Sequence, residues 1–207
     1  MSAETVVFKA KCQLPTEMAV FELFVFEEVA TKKEHIALVL GEIRSDEFTL
    51  MRLHSECMTG DTLFSLRCDC GAQLEKSMRL IADKGAGVLL YLRQEGRGIG
   101  LVNKIKAYQL QDQGLDTVDA NLHLGFADDQ RNYDFCEQML RYLGIRKIAL
   151  MSNNPRKIKA LQQLGFEVQR TELLTQDNRY NENYLQTKAK RLGHLLENGD
   201  GITATSR

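Results

Sequence analysis

Cys57, Cys68 and Cys70 are separated by ten residues and by one inside H-S-E-C-M-T-G-D-T-L-F-S-L-R-C-D-C-G-A-Q, residues 54–73. Thiolates are soft ligands that suit zinc. A trio leaves one coordination position for water or substrate, as a catalytic site does and a closed structural site does not. Free cysteines also serve as small buried hydrophobes. Cys68 and Cys70, however, flank Asp69 between Arg67 and Gly71, a polar, turn-like setting that favours metal over packing. Three thiolates leave zinc with net negative charge, so a nearby base or cation is expected to help acidify its water. Glu56 adjoins the first cysteine and is a candidate, although neighbours on an extended strand point to opposite faces.

A second candidate is Arg93-Gln94-Glu95-Gly96-Arg97-Gly98-Ile99-Gly100, which follows an apolar run and opens a helical pattern. Its glycines would let backbone N–H groups approach a phosphate, and Arg93 and Arg97 can fork onto phosphate oxygens. The spacing fits neither the dinucleotide fingerprint nor the P-loop, and an ordinary strand-to-helix turn has the same composition. Arg156, Lys157 and Lys159 follow Pro155 and read either as an anion site in a helix first turn or as a solvated face.

Residues 52–73 resemble the zinc-binding stretch of the GTP cyclohydrolase II family, R-x-H-S-E-C-x-T-G-D-x-x-x-S-x-R-C-D-C-G-x-Q. The resemblance continues through R-Q-E-G-R-G-I-G-L (93–101), K-I-K-A-Y-x-L-Q-D-x-G (104–114), D-T-V-D-A-N (116–121), G-F-A-D-D-x-R (125–131) and N-N-P-R-K (153–157), covering about residues 10–196. It implies hydrolysis of GTP to formate, pyrophosphate and 2,5-diamino-6-(5-phosphoribosylamino)pyrimidin-4-one at the head of riboflavin biosynthesis. It further implies one zinc per chain on Cys57, Cys68 and Cys70, magnesium with the GTP phosphates, and a homodimer. Arg52, Leu53, His54, Ser55, Glu56, Gln73, Glu95, Gly96, Arg97, Thr117, Ser152 and Lys157 are implied to line the GTP site. Ser152 stands where threonine is common in the family and keeps the hydroxyl.

Tyr108, Asp129 and Arg131 correspond to the family's catalytic residues. Tyr108 shares a helical stripe with Leu101 and Ile105, so packing is its alternative role. Asp128 or Asp129 would otherwise serve as a helix N-cap. Two further readings of the chain are a cyclohydrolase that stops at the formamide, against which the retained Tyr108 speaks, and a zinc and nucleotide module without turnover. The H-x-E and P-C-x-x-C signature of zinc deaminases is absent. A fused dihydroxybutanone-phosphate synthase domain, frequent in the family, is not seen, which points to a stand-alone form.

The elements that must hold these residues follow from periodicity. An α/β fold is expected, with an antiparallel, β-rich N-terminal part followed by alternating strands and helices around a mixed sheet. Strands are predicted at 20–29, 36–43, 48–54, 87–92, 147–151 and 166–170. Helices are predicted from 71 to a stop at Gly85, and at about 100–113, 131–143, 155–164 and 182–196. One domain spans 1–196, and 197–207 reads as a disordered tail. A net charge of −1 and a pI near 6.4 argue against a sequence-blind nucleic-acid partner. With no long apolar run or signal-like start, a cytoplasmic protein without a membrane partner is expected, where thiols stay reduced. Cys12 and Cys136 read as ordinary buried residues.

Overall fold

A computed structural model describes residues 4–127, 129–175, 178, 180 and 181. Seven strands form one sheet in the order β1-β2-β3-β5-β4-β6-β7. β1 (Val6–Pro15), β2 (Val20–Glu28) and β3 (Glu34–Leu40) run antiparallel, and β3 pairs antiparallel with β5 (Gly87–Leu92). From there the sheet is parallel through β4 (Phe48–Ser55), β6 (Lys147–Met151) and β7 (Glu167–Thr171). The expected mixed α/β architecture is therefore present. β1 was not expected, because most of its side chains are exposed on a sheet edge and show no buried alternation.

Strand alternation sorts side chains to two faces. Phe21, Leu38 and Leu89 pack with Ile81 of α2 (Cys70–Lys84), together with Leu74 and Met78. Their strand neighbours Ala37, Val39, Val88 and Leu90 face the opposite cluster, which contains Cys136, Met139 and Leu140 of α5 (Cys136–Tyr142) and Leu161 of α6 (Pro155–Gln163). Gly85 ends α2 at φ 75° in the left-handed region, as its glycine predicts. Asn154 caps α6 by accepting the Arg156 N–H at 2.9 Å, with Pro155 in the first turn.

Several expectations need correction. The helix predicted from 131 starts only at Cys136, and its expected stripe residue Tyr133 reaches the core from the preceding turn. Asp129 caps no helix; the cap position of α5 is Phe135, and Asp128 lies outside the described residues. Two short helices, α1 (Met58–Asp61) and α4 (Thr117–His123), interrupt stretches with no helical prediction. Each is too short to show a period. Cys12 is exposed on β1, whereas Cys136 is buried as expected. The helix predicted at 182–196 and the tail at 197–207 lie outside the described residues.

The chain passes from β4 to β5 through α2 on one face and from β5 to β6 through α3 (Gly100–Asp112), α4 and α5, with α5 on the other face. Such a divergence opens a crevice beyond the carboxyl ends of the parallel strands.

Candidate active site

The segments just beyond β4, β5 and β6 all open into one cleft, together with α2, α3, α4 and the stretch around Asp129. Every residue that the family resemblance implicated lines it except Leu53. The Leu53 side chain is fully buried in the core, and only its carbonyl serves the site, accepting from Lys157 Nζ at 2.7 Å.

Cys57 follows β4, Cys68 sits in the turn before α2, and Cys70 begins that helix. Their Sγ atoms lie within 4.8 Å of one another. The donor set fits a thiophilic metal such as zinc: three convergent sulfurs, buried or nearly so, with no fourth histidine, cysteine or carboxylate in the group among the described residues. Close backbone approach makes this convergence possible. A Cβ at Gly60 would meet Cys68 Sγ at 2.8 Å, and one at Gly71 would meet the Gly60 carbonyl at 2.2 Å. Cys57 is held well toward the thiolate by hydrogen bonds from Cys68 and Cys70, against the cost of burial and with help from Lys104. The Cys57 sulfur in turn pushes Cys68 up to about 11.

Asp61 anchors α1 beneath this cluster. Its carboxylate accepts from the Cys57 N–H at 2.9 Å and the Tyr91 hydroxyl at 2.9 Å, and lies 3.0 and 3.1 Å from His54 Nε2. An ionised carboxylate only accepts, so Nε2 carries the proton and buried Nδ1 is left as an acceptor with no partner among the described residues. Burial lowers the His54 pKa despite Asp61. β4 ends at Ser55, so strand alternation no longer governs the next two residues, and Glu56 and Cys57 share the cleft. Glu56 Oε2 is paired with Arg93 Nε at 3.1 Å. Arg93 does not line the cleft, contrary to its expected role on phosphate.

Buried basic side chains line the same cleft. Arg52 donates to the Met151 carbonyl at 2.8 Å and to Gln73 Oε1 at 2.5 Å, and Gln73 donates on to Asp69 at 2.6 Å. Burial lowers the Arg52 pKa to about 10. Burial also drives Lys157 well below the ordinary lysine value, and Arg52 and Arg131 push the same way. Arg156 of the same helix is exposed but also lines the cleft, with Nη1 3.8 Å from Asp129 Oδ2, whereas Lys159 is exposed and outside it. Asp129 grips Arg131 in a fork, Nε to Oδ1 at 2.8 Å and Nη2 to Oδ2 at 2.6 Å. Burial opposes the Asp129 charge, but Arg131 outweighs it and holds the carboxyl below its usual pKa. Ser55 Oγ accepts from Arg131 Nη1 at 3.4 Å, and Ser152 Oγ accepts from the Asn154 N–H at 3.1 Å.

Past β5 the chain makes a 3-10 turn, Glu95–Gly98, with Gly96 at φ 62° and Arg97 at φ 58°. A left-handed arginine is strained backbone, and such strain gathers at ligand sites. Beside this turn, Tyr108 of α3 lies 5.0 Å from the Arg67 guanidinium and 5.7 Å from Lys104 Nζ, measured to its ring. Burial raises the Tyr108 pKa to about 12. Leu101 and Ile105, its supposed packing stripe, are exposed at 37% and 47%.

Residues 7–172 match the family model described as GTP cyclohydrolase II. The chain belongs to the GTP cyclohydrolase II family. It is thereby a hydrolase, 59% identical over 193 residues to the GTP cyclohydrolase-2 of Hahella chejuensis, covering 93% of each chain. The GTP cyclohydrolase-2 of Azotobacter vinelandii is 60% identical over 193 residues, again 93% of each. A riboflavin biosynthesis protein of Vibrio vulnificus is 56% identical over 193 residues, 93% of this chain and 53% of that one. Beyond the residues assigned to the site from the resemblance, the cyclohydrolase cleft recruits Gln94, Lys104 and Asn121, all three inside the quoted motifs. Lys104 carried a legible signal, because it precedes Tyr108 by four positions on one helix and so shares its face. For Gln94 and Asn121 the signal was membership of R-Q-E-G-R-G-I-G-L and D-T-V-D-A-N alone.

Proposed function

We propose that this chain hydrolyses GTP at the imidazole ring, releasing formate and pyrophosphate and leaving 2,5-diamino-6-(5-phosphoribosylamino)pyrimidin-4-one, the opening step of riboflavin biosynthesis. The observation that carries the reading is the meeting, in one cleft, of three converging cysteine sulfurs with a wall of buried cations. Zinc bound to Cys57, Cys68 and Cys70 would supply Lewis acidity and an acidified water for attack at C8 and on the resulting formamide. Arg52 and Lys157 are buried basic groups close to one another, and a polyanionic substrate would relieve their mutual repulsion and favour the charged form of Lys157. Arg97, which lines the cleft from the turn, would meet phosphate, with magnesium accompanying the triphosphate.

Arg131 is gripped and oriented by the Asp129 fork, and a guanidinium is charged at any ordinary pH. A protonated guanidinium is a poor nucleophile, so its role here is to stabilise charge on the oxygens of the α-phosphate as water attacks that phosphorus and pyrophosphate leaves. Tyr108, with a pKa raised to about 12, stays protonated and can donate a hydrogen bond to the formamide or its attacking water. The reading includes a homodimer, supported by the exposed apolar side chains Leu63, Phe64 and Leu66 at 66%, 84% and 57%. It also includes a cytoplasmic setting that keeps the cysteines reduced. Purified protein incubated with GTP, its products identified by mass spectrometry beside a formate assay, tests the whole reaction. A formylated product, or GTP left unchanged, would reject it.

A further inference from the structure

Lys104 lies on α3 with its side chain 10% exposed. Its Nζ is 3.1 Å from Cys57 Sγ and 2.8 Å from Glu95 Oε1. The same Glu95 carboxylate accepts the Gly96 N–H at 2.7 Å and the Met58 N–H at 2.6 Å. One buried ammonium thus joins a sulfur of the cysteine cluster to the turn in which Gly96 and Arg97 adopt left-handed backbone.

We infer that Lys104 is a positioning residue whose ammonium offsets the negative charge of the metal-bound thiolates and holds Cys57 and the 95–98 turn in register. This rests on the reading of the three cysteines as a metal site. Three thiolates on a divalent ion leave net negative charge in a buried place, which is costly unless a cation or hydrogen bond meets it. An ammonium-to-sulfur hydrogen bond is charge-assisted and gains strength away from water. Groups that hydrogen-bond to metal ligands fix ligand orientation and tune the site. Through Glu95 the same contact reaches the backbone of Met58 at the start of α1 and of Gly96 in the turn. Sulfur geometry and turn geometry are therefore set together. If Lys104 merely neutralised Glu95, the metal would be indifferent to it.

Full-length Lys104→Met and Lys104→Arg, prepared reduced, separate these cases. Zinc affinity is measured by competition with a chromophoric chelator, and the absorption of the cobalt(II)-loaded proteins is recorded, both without GTP. Lys104→Met should bind zinc roughly 10- to 100-fold more weakly than the unaltered chain, with shifted sulfur-to-cobalt charge-transfer bands. Lys104→Arg, which keeps the charge, should recover most of the affinity. A non-hydrolysable GTP analogue should also bind zinc-free Lys104→Met more weakly than zinc-free unaltered protein. An unchanged analogue affinity would overturn the turn-holding half of the inference. Equal zinc affinity and an unshifted cobalt spectrum, with the unaltered chain binding zinc normally, would overturn the Lys104 inference alone. If the unaltered chain binds no zinc, the metal reading falls and this inference with it. Should Lys104→Met fail to fold by circular dichroism, Lys104→Gln replaces it, since an amide donates without charge and the same loss of affinity is expected.

Discussion

Tyr108 has a packing reading and a chemical one, and the stripe expected to pack it is open to solvent. Leu101 and Ile105 are exposed, while the Tyr108 ring sits among Arg67, Lys104 and the cysteine cluster. Tyr108→Phe retains the ring and its cation contacts and removes one hydroxyl, so the fold should be unaffected. If the hydroxyl positions the formamide or its water, the variant will open the ring yet keep the formyl group, and mass spectrometry will show the heavier product. His35 provides a second test at the same scale. It is fully buried, accepts the Arg93 N–H on Nδ1 at 3.1 Å and stacks on Phe135 at 4.2 Å. Burial lowers its pKa from 6.5 to about 4, against a partial opposing pull from Glu28. The unfolded chain then binds more protons than the folded one between about 4 and 6.5. Stability is therefore full above that window and falls with pH through it, by up to roughly 1.4 kcal/mol per pH unit. Chemical denaturation across this range should show that slope, and His35→Gln should flatten it.

At the scale of elements, the cysteine cluster depends on how closely α1 approaches α2. Gly71 touches the Gly60 carbonyl so tightly that an added Cβ would sit 2.2 Å from it. Gly71→Ala must push the two helices apart, and overpacking of this kind costs about 1–3 kcal/mol. Urea denaturation should register that loss. The zinc content of the purified variant should fall along with it, because Cys57 leads into α1 and Cys70 begins α2. Were the variant destabilised but fully zinc-loaded, helix approach would not govern sulfur convergence.

For the molecule as a whole, the sheet brings two chemistries to one edge. Sulfurs arrive from the end of β4 and the start of α2, while Lys157 and Ser152 arrive from the end of β6 and the start of α6, and Arg131 from the stretch before α5. If the sulfurs serve ring opening and the cations serve the phosphates, zinc-depleted protein should lose formate release far more than pyrophosphate release. Equal loss of both, measured in parallel assays, would merge the two roles. The exposed Phe64 side chain, 84% accessible in a loop with Leu63 and Leu66, belongs to the same scale. Phe64→Asp should shift sedimentation from dimer toward monomer if this loop lies at the subunit contact, because an aspartate is costly to bury unpaired.

The motif residues were legible because local chemistry dictates them. Cys-x-Cys after a turn, glycines where backbone must approach backbone, and Asn154-Pro155 at a helix start all act within a few positions. The strands Gly87–Leu92 and Lys147–Met151 were equally plain, since both faces of a central strand are covered and the runs are apolar apart from Lys147 at the start of the second. Tertiary structure alone decided the rest. Nothing local could say that Asp61 joins His54, Tyr91 and the Cys57 N–H, or that Lys104 reaches across to Cys57. These contacts link positions up to 47 residues apart. They exist only because parallel pairing aligns the ends of β4 and β5 and places α3 beside them. Periodicity also misplaced the start of α5. The fork between Asp129 and Arg131, and the approach of Arg131 to Ser55, hold that stretch out of a helix, and no spacing along the chain records such a constraint.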